Sequence, residues 1–203
     1  MAQQIFPTKG NLMQSKKNLT LAKLGFDLLD RKRNVLMREL MKMIDESAAL
    51  QNDIGDTFTR AYAALQRASV TLGMDRIGTE YAPLETGLTL TTRSVMGVSL
   101  PEVHLAEKEL RPYYGLSGTD RQMDEAMLCF EKVKRLTARL AEVDTGVYRL
   151  ATAIKKTQRR ANMLENVVIP RETDAIKFIS GVLEEREREE FTRLKVIKTN
   201  RQG

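Results

Sequence analysis

The stretch LTLAKLGFDLLDRKRNVLMRELMKM, Leu19 to Met43, decides the fold because its apolar residues return in alternating steps of three and four. Followed from Leu12 to Ile54, this pattern places an apolar residue at ten of thirteen positions. Such a repeat forms one continuous apolar seam along a helix, which is typical of a coiled coil. After Ile54 one additional step of four leads to Phe58, and we expect a stutter in the supercoil there.

A second seam runs from Cys129 to Val182, with fourteen apolar residues at sixteen positions, and it takes in Arg171 and Phe178. Residues 8–82 and 113–169 contain no proline, so both seams can lie on long helices. We expect Pro170, which lies beside the second seam, to kink that helix or open its hydrogen bonding locally without ending it. The residues expected to form the seam are Leu19, Phe26, Leu29, Leu36, Leu40, Met43, Leu50, Ile54, Leu136, Leu140, Val143, Val147, Leu150, Ile154, Leu164 and Val168.

The region between the two helices has a different composition. It contains three of the five prolines and the stretch LTLTTRSVMGVSL, whose Thr, Val and Leu residues predict short strands in a hairpin. We therefore predict an all-α fold in which residues 1–72 and 119–203 form a long antiparallel, left-handed, two-helix coiled coil. The connector, residues 73–118, carries the short β-hairpin at one end.

This pairing brings Leu72 near residue 122 and Leu12 near Val182, so the C-terminal helix extends beyond its partner from about residue 187. Phe191, Leu194 and Ile197 form a narrow apolar line on that overhang, and we expect another protein to surround it. A second apolar line lies off the seam at a common height on both helices and indicates a surface for a partner protein. This partner stripe consists of Leu21, Leu24, Leu28, Val35, Met163, Val167 and Ile169.

The chain carries a net charge of +6, but cations and anions are mixed in both helical segments. Mixed charge is typical of a solvated helix face, although the cluster KKTQRR (Lys155–Arg160) leaves a nucleic-acid-binding coiled coil open as an alternative. A tethering coiled coil is a second alternative. With one histidine, one cysteine and no phosphate-binding or nucleophile motif, the sequence predicts no catalytic, cofactor or metal site. It shows no signal peptide or membrane span, which predicts a cytoplasmic protein.

Three segments together resemble the D subunit of the bacterial and archaeal V-type (A/V-type) ATPase/ATP synthase. They are PTKGNLMQSKKNLTLAKLGFDLLDRKRNVLM (Pro7–Met37), IKKTQRRANMLENVVIP (Ile154–Pro170) and FISGVLEEREREEFTRLKVIK (Phe178–Lys198). The resemblance covers both terminal helices and not the connector. It implies a non-catalytic central rotor shaft that transmits torque between a catalytic head and an ion-translocating membrane ring.

The same resemblance implies the partners. They are the catalytic-head subunits A and B, the small F subunit of the central stalk and a funnel-shaped subunit on the membrane rotor ring, with no nucleic acid and no direct membrane insertion. The chain would then be cytoplasmic and peripheral to the membrane, with both chain ends innermost in the head. The residues that this arrangement would place against the head are Pro7, Thr8, Lys9, Arg186, Arg188, Phe191, Arg193 and Lys195.

Overall fold

The structure is a computed structural model that describes residues 6–73, 85–106 and 120–202. In chain order it contains helix α1 (Lys9–Leu72), strands β1 (Leu88–Val95) and β2 (Val98–Leu105), helix α2 (Arg121–Met163), a π-helical turn (Leu164–Val168) and helix α3 (Ile169–Gln202). Two long helical segments and a two-stranded hairpin between them confirm the predicted fold class. The rest of the predicted connector, 74–84 and 107–118, lies outside the described residues.

Both ends of α1 carry the capping features that stabilise a helix terminus. Thr8 accepts a hydrogen bond at Oγ1 from the backbone N–H of Asn11, at 3.2 Å, and so satisfies a donor of the first turn. At the other end Gly73 has φ +82° and donates its N–H to the carbonyl of Ser69, at 3.1 Å. A residue with positive φ directly after a helix is the usual C-terminal stop, and glycine adopts it without strain. The helix therefore ends at Leu72.

The described residues form two compact units, and the second unit, Val35–Ile154, contains the larger core. Thr71 and Gln122 are joined by a hydrogen bond of 3.3 Å, which places α1 against α2 within one residue of the predicted pair. Ser47 donates to Asp144 at 2.9 Å further along the same two helices. The predicted seam residues of this unit are buried or half-buried: Leu36, Leu40, Met43, Leu50, Ile54, Leu136, Leu140, Val143, Val147, Leu150 and Ile154.

The expected stutter after Ile54 is absent, because the seam continues through small residues. Thr57, Ala61, Ala64 and Ala68 are buried and keep the alternating steps of three and four. The Thr57 hydroxyl can be buried because it donates to the carbonyl of Asp53, at 2.7 Å. Phe58, which the sequence placed on the seam, is only half-buried. Its ring stacks on that of Tyr62, with centroids 5.8 Å apart.

The first unit combines the residues up to Asn34 with those from Lys155 onward. Arg33 donates to the side chain of Gln158 at 2.7 Å, so the start of the chain pairs with its end. The most buried residues are Ala22, Thr157, Ala161, Ala175 and Ile179. The predicted seam residues Leu19, Phe26, Leu29, Leu164 and Val168 are half-buried.

The hairpin joins β1 and β2 through the two-residue turn Met96-Gly97, and Val95 pairs with Val98. Both turn residues have positive φ, +50° and +77°, as the tight turns that match the twist of a hairpin require. One end of the sheet packs on the helices of the second unit. Leu100 is buried in the same cluster as Leu36, Met43, Val143, Leu150 and Ile154. The hairpin is confirmed, whereas its packing against the sides of α1 and α2 was not predicted.

Candidate interaction surfaces

Polar side chains attach the hairpin to the helices at several levels. Glu142 on α2 is buried and accepts a hydrogen bond from the backbone N–H of Val103, at 3.0 Å. Arg149, two turns later, donates to the carbonyl of Ser99 at 3.0 Å. Because both backbone groups belong to β2, one edge of the hairpin is occupied by α2. Sequence patterns miss such contacts, since they involve backbone atoms of residues distant in the chain.

Charged pairs reinforce this attachment. Arg139 donates to Glu46 at 2.7 Å and to Glu142 at 2.6 Å. The hydrogen bond to Glu46 contributes most to raising the pKa of Arg139, so the guanidinium group remains protonated. On β1, Arg93 donates to Glu39 of α1 at 3.1 Å. The pair of Arg93 with Glu39 thus attaches the hairpin to α1, whereas the pair of Arg139 with Glu46 joins α2 to α1.

Lys134 forms a further link, because it contacts Glu85 at 2.8 Å and Glu131 at 2.6 Å. Partial burial works against its positive charge, but the hydrogen bonds to Glu131 and Glu85 outweigh that effect. The pKa of Lys134 is therefore raised above the ordinary value of 10.5. Glu85 lies just before β1, so this link fixes the base of the hairpin to α2.

The π-helical turn shows how the chain continues through Pro170. The N–H of Ile169 bonds to the carbonyl of Leu164, one residue further back than in an α-helix. Proline has no N–H and its ring crowds the preceding turn, so a wider turn just before it relieves that crowding. Gly25 faces the turn, since a Cβ added there would lie 3.5 Å from Leu164 Cδ1. Pro170 thus opens the hydrogen bonding locally and α3 continues beyond it.

The π-helical turn also changes which residues face the core. We expected Arg171 and Phe178 on the seam, and both positions are wrong. Phe178 is 55 % exposed, while the next residue, Ile179, is completely buried. Ala175, which lies between Arg171 and Phe178, is buried, so the seam differs from the expected one at those two residues and not at every position. Arg171 is likewise exposed, and Glu172 is half-buried in its place.

The end of α3 is uncovered in the structure. Every described residue from Glu184 to Arg201 is exposed, including the apolar side chains Phe191, Leu194 and Ile197. Lys9, at the start of α1, contacts Glu187 at 3.3 Å. The first turn of α1 is therefore level with the point where the overhang was predicted to begin.

The predicted head-contact residues lie at this end of the first unit. Arg186 donates to the carbonyl of Pro7, at 3.5 Å, and Thr8 caps α1. Arg188 pairs with Glu185 at 3.6 Å, and Arg193 pairs with Glu189 at 4.0 Å. These ion pairs are exposed and contribute little to stability, so their cations can be redirected to a partner. Lys9, Phe191 and Lys195 are exposed at the same end.

The partner stripe is largely exposed. Leu21, Leu24 and Leu28 on α1 are 67 %, 56 % and 65 % exposed, and Met163 and Val167 are exposed as well. The contact of Gly25 with Leu164 places these residues at a common height within the first unit. Val35 and Ile169 are half-buried and contribute less surface. Met13, which the prediction omitted, is exposed two turns before Leu21 and extends the same line.

A smaller apolar line in the second unit was missed by the sequence analysis. Met37, Met41 and Ile44 are exposed and follow the spacing i, i+4, i+7 on α1. Tyr148 on α2 is exposed too. The same spacing is present in the sequence, but the longer apolar seam beside it dominates the pattern.

Within residues 6–73, 85–106 and 120–202, no three His, Cys, Asp or Glu side chains form a cluster that could hold a metal ion. In the same ranges, no helix combines the length and the apolar character that crossing a bilayer requires.

Comparison with known proteins links this chain to one family. The sequence model of the family described as the D subunit of ATP synthase matches residues 11–199. The D subunit of the V-type ATP synthase of Thermotoga neapolitana is 44 % identical over 197 residues, covering 96 % of this chain and 97 % of that protein. The D subunit of the A-type ATP synthase of Pyrococcus abyssi is 36 % identical over 201 residues, covering 96 % and 94 %. The corresponding protein of Thermococcus kodakarensis is 38 % identical over 199 residues, covering 95 % and 92 %.

Proposed function

This chain belongs to the family of ATP synthase D subunits, and we propose that it is the central rotor shaft of a rotary V-type ATPase/ATP synthase. In this role it transmits torque between the catalytic head and the ion-translocating membrane ring. It performs no catalysis itself. Its partners are the head subunits A and B, the small F subunit and a funnel-shaped subunit on the membrane ring. The chain works on the cytoplasmic side, peripheral to the membrane.

The uncovered end of α3 supports this proposal most directly. A lone helix gains little stability from its own ion pairs, and Phe191, Leu194 and Ile197 are exposed to water along it. An inner sleeve formed by several head subunits would surround all sides of such a helix at once. A flat docking surface would cover only one side.

The arrangement of charges suggests how rotation could be sensed. The exposed end of α3 carries an apolar line on one side and cations such as Arg186, Arg193 and Lys195 elsewhere. As the shaft turns, a given head subunit meets these faces one after another. A cation near a carboxylate of the sleeve would stabilise one nucleotide state over another, so rotation and nucleotide chemistry become coupled. The antiparallel helix pairing in each unit supports the stiffness that this requires.

The partner stripe would contact a further subunit of the complex. Leu21, Leu24, Leu28 and Met163 expose an apolar surface within the first unit. In a complete complex this surface would be removed from water, which favours assembly. The connector end would face the funnel-shaped subunit, and the F subunit would clasp the shaft between the two ends.

Replacing Arg186, Arg188, Arg193 and Lys195 together by Ala in the assembled complex tests the coupling. We expect the complex to assemble, because these side chains make only exposed contacts within the chain. ATP-driven rotation of a probe attached to the shaft should slow and stall under lower load than in the unmodified complex. Unchanged rotation in this variant would refute the coupling.

A matched control keeps the charges and changes the shape. In the variant Arg186→Lys, Arg188→Lys and Arg193→Lys, each position retains its cation but loses the planar guanidinium group. If charge alone carries the coupling, this variant rotates nearly as the unmodified complex does. If the four-alanine variant lost rotation because the chain had detached, the purified complex would lack the chain, so its composition is checked first.

A further inference from the structure

Helix α2 contains a long stretch without any acidic residue. Between Asp144 and Glu165 the sequence has five cations and no carboxylate. One of the five, Arg149, donates a hydrogen bond to the carbonyl of Ser99. The other four form what we call the basic face: Lys155, Lys156, Arg159 and Arg160.

The basic face is exposed and has no acidic partner among the residues that the structure describes. Lys155 and Arg159, like Lys156 and Arg160, are four residues apart on one helix, so each pair of like charges repels. On α1, Asp27 pairs with Arg31 at 2.8 Å, so that carboxylate is already engaged on its own helix. The basic face is thus left without compensation inside its unit.

The surface next to the basic face is apolar. Met163, which follows Arg160 within one turn, is exposed. Nucleic acids and lipid headgroups would meet the cations but leave this apolar surface in water. A protein surface carrying both carboxylates and aliphatic side chains fits the cations and the apolar side chains together.

We propose that the basic face docks a carboxylate-bearing surface of another subunit of the ATP synthase, with aliphatic groups of that subunit against Met163. This inference rests on the proposed function, since it places the partner in the same complex. Each Asp or Glu of the partner would neutralise one cation and relieve the repulsion along α2. The interaction guides and orients the partner, because charge complementarity acts at longer range than apolar contact.

Zero-length cross-linking of the purified complex tests this proposal. A water-soluble carbodiimide joins a lysine amine directly to a carboxylate that it contacts, and mass spectrometry then identifies the two peptides. We expect Lys155 or Lys156 to be linked to an Asp or Glu of another subunit. The yield should fall several-fold when salt is raised to about 0.5 M before the reagent is added, because screening weakens exposed charge pairs.

The chain supplies its own controls. Lys134 lies 2.8 Å from Glu85 and Lys9 lies 3.3 Å from Glu187, so both pairs should link within the chain and show that the reagent works. The variant Lys155→Arg/Lys156→Arg keeps the charges but removes the reactive amines. It should lose the links between subunits while the complex retains its composition.

Three results would overturn the proposal. The first is the absence of links from Lys155 and Lys156 to another subunit while the control pairs react. The second is links only to carboxylates of this same chain. The third is strong, salt-sensitive binding of the complex to a labelled DNA duplex that the variant Lys155→Gln/Lys156→Gln/Arg159→Gln/Arg160→Gln abolishes, because it would assign the basic face to nucleic acid. A complex that rotates normally but gives no such links would contradict this inference and leave the proposed function standing.

Discussion

Replacing Gly146 by Ala should destabilise the second unit, although alanine is the better helix former. A Cβ added at Gly146 would lie 2.4 Å from Cε of Met43 and 3.2 Å from its Sδ. Met43 is buried, so its side chain can move only by disturbing the core around it. Alanine gains about 0.5–1 kcal/mol over glycine inside a helix, but overpacking a core costs about 1–3 kcal/mol. We therefore expect a net loss of up to about 2.5 kcal/mol in the free energy of unfolding.

Gly55 provides the matched control, because it lies within α1 of the same unit and a Cβ there would meet nothing within 4 Å. Gly55→Ala should stabilise the chain by about 0.5–1 kcal/mol. Urea unfolding of the full chain, followed by far-ultraviolet circular dichroism, measures both free energies. A variant Gly146→Ala as stable as Gly55→Ala would refute the close approach.

A double-mutant cycle isolates the contact itself. Met43→Leu removes the Cε atom that the new Cβ would meet and roughly conserves volume. We expect Gly146→Ala to cost at least about 0.5 kcal/mol less in the Met43→Leu background than in the unmodified chain, since residues in contact are not additive. Equal costs in both backgrounds would mean that the loss arises elsewhere.

The remaining predictions concern the hairpin attachment and the π-helical turn. Burial opposes the charge on Lys134, but its hydrogen-bonded carboxylates outweigh burial and raise its pKa. The stability that Lys134 contributes is therefore complete below pH 10.5, and it is lost as the pH rises through the raised pKa. Unfolding measured against pH should show this loss, and Glu85→Gln should reduce it. Glu142→Ala leaves the N–H of Val103 without its buried acceptor, which should cost about 1–3 kcal/mol of unfolding free energy. Glu142→Gln retains an acceptor and should cost less. If urea unfolding gives equal losses of free energy for the two variants, the hydrogen bond is contradicted. Pro170→Ala restores a backbone donor and should stabilise the chain by about 1–3 kcal/mol, and a lower thermal midpoint in this variant would contradict the reasoning.

The seam could be predicted from the sequence because it depends on local spacing alone. A residue such as Leu36 or Val143 faces the partner helix whenever apolar residues return every three or four positions. The apolar pattern could not distinguish Phe58 from its neighbour Thr57, however. The larger residue looks like the better seam residue, but only the smaller one is buried.

The hairpin attachment and the shift beyond Pro170 could not be predicted in the same way. The buried carboxylate Glu142 reads as an ordinary surface charge until its backbone partner, Val103, is known. Beyond the proline, Phe178 and Ile179 are both apolar, so the sequence does not say which of them faces inward. That choice depends on the wider turn that precedes the proline, which changes where the next seam positions fall.

Charge placement separates the surfaces that are complete within the chain from those that are not. Arg93, Lys134 and Arg139 each meet a carboxylate of another segment of the second unit. Arg93 and Lys134 connect the hairpin region to the helices, and Arg139 joins α2 to α1. The basic face, Lys155–Arg160, meets none among the described residues. Acidic residues could stand at exposed positions there without structural cost, as they do on either side of that stretch. Four neighbouring, uncompensated cations beside exposed aliphatic side chains therefore indicate a surface that is completed only when another subunit binds.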